Sequence, residues 1–169
     1  MKKRVRKYLG SIVLGLNDAL VELIGALAGL TLALQNSKII VISGLITGIA
    51  ASLSMGASEY LSTKAETFTK KNLNKKNPIT AASYTGLTYF ATVLFLIFPY
   101  LILANVYYSL AWALLNGIIV IFVFTHYAYV EKGHIFQSKF LEMLFISFGV
   151  AIISFGFGYL IRIIFGVEV

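Results

Sequence analysis

Long apolar runs separated by short polar segments dominate the chain. Five such runs can be marked, over residues 9–34, 39–62, 80–104, 107–130 and 140–165. Each is long enough to cross a hydrocarbon core of ~30 Å as a helix that rises 1.5 Å per residue. The runs do not alternate between apolar and polar positions, as the strands of a membrane barrel do. The pattern therefore predicts an all-α membrane protein whose single domain, residues 1–169, contains five transmembrane helices.

The composition supports the membrane assignment and narrows the chemistry. Of the 169 residues, 59% are hydrophobic and only 12% are charged, and the mean hydropathy is +0.85. A soluble domain of this size could not bury so much apolar surface. The chain has no cysteine, which excludes disulfides, thiolate metal sites and thiol catalysis. There is no phosphate-binding loop, zinc-protease motif or nucleophile–base spacing, so we predict that the protein is not an enzyme.

The basic residues predict the orientation. Five lie in the N-terminal MKKRVRK, five lie in the loop 63–79, and Lys132 and Lys139 lie between the fourth and fifth runs. Five spans put all twelve on one side and leave Lys38 and Arg162 on the other. The excess of Lys and Arg marks the cytoplasmic side, so we expect a cytoplasmic N-terminus and an external C-terminus. Membrane orientation thus accounts for the net charge of +7, and no nucleic-acid partner is predicted.

The first run contains acids that a membrane helix does not ordinarily carry. In GLNDALVELIG, Asp18 and Glu22 are one helical turn apart. At about 100° per residue, Gly25 and Gly29 fall within about 20° of Asp18, so small residues and acids share one stripe. Small residues let membrane helices approach closely.

The second run repeats this design. Gly44, Gly48, Met55 and Glu59 lie within about 60° of one another around the helix. We expect the two stripes to face each other. Counting residues from the predicted cytoplasmic side puts Asp18 at a depth of roughly 13 Å and Met55 at roughly 10 Å. The predicted order from the cytoplasm is Glu59, then Asp18 with Met55, then Glu22.

These carboxylates need a positive counterpart. A charged side chain at this depth costs about 2.5–3.5 kcal/mol, and no basic residue lies at a matching depth. Protons, water or a bound cation must therefore meet the charge. Oxygen ligands with a thioether favour a first-row transition metal, Fe²⁺ or Mn²⁺, over Mg²⁺ or Ca²⁺. In the alternative interpretation, the acids are protonated structural groups, Met55 fills the core and the glycines serve packing only.

At this point two segments resemble the vacuolar iron transporter family: GLNDALVELIGALAGLTLAL in the first run and ITGIAASLSMGASEYLSTKAE in the second. The resemblance implies five spans and a homodimer whose metal path is lined by the first two helices of both subunits. It implies that Asp18 is the membrane-embedded aspartate, with Met55 and Glu59 as further ligands. It also implies export of Fe²⁺, and often Mn²⁺, from the cytosol by proton antiport.

One departure from the family pattern concerns the loop 63–79. Many members carry a cytosolic domain rich in Glu and Met at this point, whereas Glu66 is the only acid here. The chain therefore resembles a shorter branch, which leaves the route of cytosolic metal loading open.

The resulting hypothesis is a homodimeric exporter that exchanges Fe²⁺ or Mn²⁺ for protons. Its expected metal ligands are Asp18, Met55, Glu59 and Glu22, with Asn17 and Glu66 as minor contributors. No tightly bound cofactor is expected, and the partners are a second copy, metal ions, protons and the lipid bilayer. The alternatives are a passive divalent-cation channel and a scaffold without transport. The expected location is a prokaryotic inner membrane, or a vacuolar or organellar membrane if the source is eukaryotic.

Overall fold

Five helices make up the part of the protein that the structure describes. The computed structural model describes residues 7–69, 76–129 and 136–165. Within these ranges the helices are α1 (Leu9–Leu34), α2 (Ser37–Thr69), α3 (Pro78–Ile102), α4 (Val106–Tyr129) and α5 (Phe136–Phe165), and no strand occurs there. All five are long and apolar enough to cross a membrane. The predicted class, an all-α membrane protein with five spans, is confirmed.

The second helix is longer than the apolar pattern predicted. The sequence placed a loop over residues 63–79, but α2 continues to Thr69. The added segment TKAETFT contains no glycine or proline, so nothing in it breaks the helix. Its charges end the apolar run but leave the helix intact.

An asparagine precedes each of three helices and caps it. The Asn36 side chain accepts hydrogen bonds from the backbone N–H groups of residues 38 and 39. Asn77 does the same for residues 79 and 80, and Asn105 for residues 107 and 108. Each cap satisfies donors that would otherwise lack a partner at a helix start. These caps fix the tight α1–α2 and α3–α4 connections.

Helix α1 occupies the centre of the bundle and contacts all four other helices, most extensively α5 and α3. Its residues Leu20, Leu23, Ile24 and Leu27 are almost completely buried. They form one core with a row of α3 side chains, namely Tyr89, Val93, Leu96 and Ile97. Because α1 is tightly packed along this face, the backbone that carries its polar side chains is held in one position.

The glycine stripes pack against helices other than those expected. A Cβ at Gly25 would lie 2.8 Å from Val150 of α5, and one at Gly29 would lie 2.9 Å from the Ser154 carbonyl of α5. On α2, a Cβ at Gly48 would collide with Val93 of α3. The expectation that the two stripes face each other is therefore wrong for these glycines.

The glycine face of α1 is covered by α5, and the glycine face of α2 is covered by α3. Small residues allow any helix to approach closely, so the stripe alone does not predict which helix packs against it. The glycines still permit tight packing, but they do so at the α1–α5 and α2–α3 contacts.

One end of the bundle, which we call the basic end, carries Lys7, Lys64 and Lys76. There the Tyr8 hydroxyl accepts a 3.0 Å hydrogen bond from the Asn77 backbone N–H, which joins the starts of α1 and α3. Lys139, also predicted for this end, is described near the start of α5, whereas the remaining basic residues predicted for it, including Lys132, lie outside the described residues. That the basic end faces the cytoplasm stays a prediction.

Candidate functional site

Glu22 lies at the middle of α1 and is bound by a residue of α3. The Tyr89 hydroxyl donates a 2.7 Å hydrogen bond to Glu22 Oε2. The Tyr89 side chain is only 1% exposed, so the packed core fixes its orientation. A charged acceptor makes this bond stronger than a neutral one. Tyr89 therefore holds the Glu22 carboxylate in one position.

The rest of Glu22 is exposed on the surface of the single chain. It is thirteen residues from the start of α1, or about 20 Å along the helix axis, which is close to mid-span. An acidic side chain facing lipid at that depth is unfavourable by several kcal/mol. This surface is therefore completed by water, a cation or another protein chain.

Asp18 lies one turn before Glu22 on the same face of α1 and is half-buried. In the described ranges an ion pair joins Lys139 and Glu142, which are both on α5, and no lysine or arginine pairs with Asp18. Two carboxylates one turn apart also repel each other. The pair is thus an acidic site near the middle of α1, on a face that the single chain leaves partly open.

Asn17 is turned away from this acidic face. It lines a cavity of about 160 Å³ between α1 and α5, together with Met143 and Ser147. Its Oδ1 atom is buried and has no hydrogen-bond partner. Since Asn17 is about 100° around the helix from Asp18, the two side chains serve different surfaces. The structure does not bring Asn17 together with the acids.

Glu59 on α2 is bound to α1. The Ser11 hydroxyl donates a 2.5 Å hydrogen bond to Glu59 Oε1, and the Thr63 hydroxyl lies 3.5 Å from the same oxygen. The Thr85 hydroxyl of α3 in turn donates to the Ser11 carbonyl at 3.0 Å. Glu59 is therefore fixed where three helices meet near the basic end.

These contacts set the relative heights of the acids. Glu59 is level with Ser11, which lies seven residues before Asp18, or about 10 Å nearer the basic end. Glu22 lies a further turn beyond Asp18. In the described part of the chain, no three Asp, Glu or His side chains come together as a ready-made metal cluster. The acids of one chain form a series along α1.

The other two predicted ligands differ in their surroundings. Met55 is half-buried and packs against the apolar core, one turn of α2 from Glu59. Glu66 is exposed and lies on the helical extension beyond the predicted span, not in a loop. Neither side chain forms a hydrogen bond or an ion pair with Asp18 or Glu22.

Sequence reasoning missed the residues that hold the acids. Tyr89, Ser11 and Thr63 were not candidates, although Ser11 is on the Asp18 stripe. A hydroxyl inside an apolar span is a usable signal, since a polar group there needs a partner. The partner itself could not be identified, because Tyr89 and Glu22 are 67 positions apart.

The fold and this series of acids define an integral membrane protein with ionisable groups along its central helix. Residues 9–76 match the model of the VIT family. This range takes in α1, α2 and the segment leading to α3. The match confirms the predicted resemblance to vacuolar iron transporters over these residues and is consistent with a VIT family member. No curated relative matches the chain at a significant level.

The VIT family comprises membrane transporters and not enzymes.

Proposed function

We propose that the protein is a homodimeric exporter that exchanges Fe²⁺ or Mn²⁺ for protons. The observation that carries the proposal is the series Glu59, Asp18 and Glu22 along α1, with no basic partner for Asp18 or Glu22 among the described residues. Carboxylates in such a setting can hold a cation or a proton. That alternation is what antiport requires. The metal is the transported substrate and not a resident cofactor.

Each ligand has a proposed role. Asp18 is the central ligand, and Met55 supplies the thioether that favours transition metals over Mg²⁺ and Ca²⁺. Glu59, held by Ser11, receives metal at the basic end. Glu22 is the deeper ligand or proton carrier. The location proposed is a prokaryotic inner membrane, with the basic end toward the cytoplasm in accordance with the distribution of Lys and Arg.

A second copy is part of the proposal because one chain leaves the site open. Glu22 is exposed at mid-span, and one chain does not gather three acids in its described part. The neighbouring face of α2 is also exposed and carries small residues, namely Thr47, Ala50, Ser54, Ala57 and Ser58. Membrane helices associate through such faces. A two-fold partner on this face would cover Glu22 and double the number of ligands.

The test is a transport assay in proteoliposomes with a panel of divalent metals and an internal pH reporter. We expect uptake of Fe²⁺ or Mn²⁺ with opposite proton movement, and its loss in Asp18→Ala with unchanged folding and dimerisation. Met55→Leu should lower transport of Fe²⁺ and Mn²⁺. Metal flux that does not change when a pH gradient is imposed would instead indicate a channel. Full flux in Asp18→Ala would rule out the proposed site.

A further inference from the structure

A groove lies between α2 and α3, where Gly56 and Gly86 bring the two backbones close together. It has a volume of about 660 Å³ and opens on the outer surface. Its walls are almost entirely apolar and include Ile49, Leu53, Gly56, Gly86, Leu87 and Phe90. It lies outside the series of acids described above.

Glycines form the floor of this groove. A Cβ at Gly86 would lie 3.1 Å from the Ser52 carbonyl, and one at Gly56 would lie 3.4 Å from the Ala82 carbonyl. The backbones therefore touch, and no side chain rises above the contact. The side chains at the rim point outward, since Leu53 is 70% exposed and Leu87 is 69% exposed. The groove is therefore a concavity that opens on the outer surface of the bundle.

The face of α2 above the groove becomes polar toward the basic end. Tyr60 and Lys64 lie seven and eleven residues after Leu53, both within about 20° of it around the helix. Lys64 is about 16 Å from Leu53 along the axis, and its Nζ lies 5.6 Å from the Tyr60 ring centroid. In the described ranges no carboxylate pairs with Lys64. One helix face thus presents an apolar groove, then an aromatic ring, then a cation.

This order of groups is complementary to a phospholipid. The acyl chain is apolar, the ester region is the level at which tyrosine rings lie in membranes, and an anionic headgroup is attracted by a nearby lysine. We propose that the α2–α3 groove binds one acyl chain of an anionic phospholipid whose headgroup phosphate pairs with Lys64. The site is independent of the transported ion.

The chain's single tryptophan, Trp112 on α4, makes a direct test available. The Leu87→Trp substitution in a Trp112→Phe background places a tryptophan at the rim of the groove. The quenching of its fluorescence by brominated phosphatidylglycerol is then compared with the quenching by brominated phosphatidylcholine. Trp112 of the unaltered protein, 39% exposed, reports on lipid outside the groove. We expect the preference for brominated phosphatidylglycerol over brominated phosphatidylcholine to be about fivefold greater at position 87 than at Trp112. One lysine near the membrane surface changes the binding of an anionic lipid by about that factor.

The Lys64→Gln substitution tests the role of the lysine charge. It should reduce the preference for the anionic lipid at position 87 to the value measured at Trp112. Lys38→Gln, at the opposite end of the bundle, is the matched control and should leave the preference unchanged. If Leu87→Trp fails to fold, Leu53→Trp on the other rim gives the same readout. Equal preference at both tryptophans, or a preference that survives Lys64→Gln, overturns the proposal. So does the absence of quenching by either lipid, which would place a second protein chain in the groove.

Discussion

The Tyr89 hydroxyl is 2.7 Å from Glu22 Oε2 and joins the buried face of α3 to the middle of α1. The tyrosine is buried, whereas the carboxylate it holds is exposed at mid-span. A core residue therefore orients an acid that lies on the surface of one chain. In the proposed transporter, Tyr89 sets the geometry of the deeper ligand without being a ligand itself.

Removal of the Tyr89 hydroxyl should impair transport more than stability. In Tyr89→Phe the ring still fills its place, but Glu22 loses a hydrogen bond to a charged group, worth about 1.5–3 kcal/mol. We expect metal flux to fall at least about tenfold, as measured in proteoliposomes. Tyr100→Phe is the control, because Tyr100 is also buried and, among the described residues, its hydroxyl bonds to Thr31 at 2.7 Å and not to an acid. Equal losses of flux in both variants would show that Tyr89 acts through packing alone.

The bond between Ser11 and Glu59 should govern metal entry. Ser11→Ala frees the carboxylate from its 2.5 Å partner, so Glu59 no longer has one fixed orientation. We expect KM for metal to rise by about tenfold, the equivalent of about 1.4 kcal/mol, while kcat changes little. Ser109→Ala removes an equally buried hydroxyl that bonds to the backbone at the opposite end and should leave KM unaltered. A drop in kcat with constant KM would contradict an entry role for Glu59.

Two glycines on α5 should respond in opposite ways to alanine. A Cβ at Gly158 would collide with the backbone carbonyl of Gly29, whereas one at Gly156 would meet nothing within 4 Å. We expect Gly158→Ala to lower stability by about 1–3 kcal/mol as α1 and α5 are forced apart. Gly156→Ala should be neutral or stabilising by up to about 1 kcal/mol. Thermal unfolding in detergent measures both, and equal Tm values would show that the close approach is dispensable.

The exposed small-residue face of α2 should lie at the interface between two copies. Because the chain has no cysteine, single cysteines at Ser54, Ala57 and Ser58 can form disulfides only between copies. We expect at least one of them to give a covalent dimer in oxidised membranes, since a disulfide needs Cα atoms within about 7 Å. Leu115 on α4 is 53% exposed, and the Leu115→Cys variant should remain monomeric on a denaturing gel. Equal cross-linking at Leu115 would place the interface elsewhere.

The candidate site could be predicted in part. Asp18, Glu22 and Glu59 stand out because an acid in an apolar span is rare and costly, and the family match covers all three. Tyr89 and Ser11 did not stand out, since hydroxyl-bearing residues are common in membrane helices. Asn17 was placed with the acids because it adjoins Asp18, yet a step of one residue turns a helical side chain by about 100°.

The sequence by itself determined the class of protein and the number of spans, because apolar length and helix rise are properties of each segment alone. It also identified the acids that lie within these spans. Only the tertiary structure decided that Gly25 and Gly29 meet α5, that Gly48 meets α3, and that Tyr89 holds Glu22. Angles around one helix say which residues share a face. They do not say which helix covers that face, because several helices offer a surface that fits and only the packing of the whole bundle selects among them.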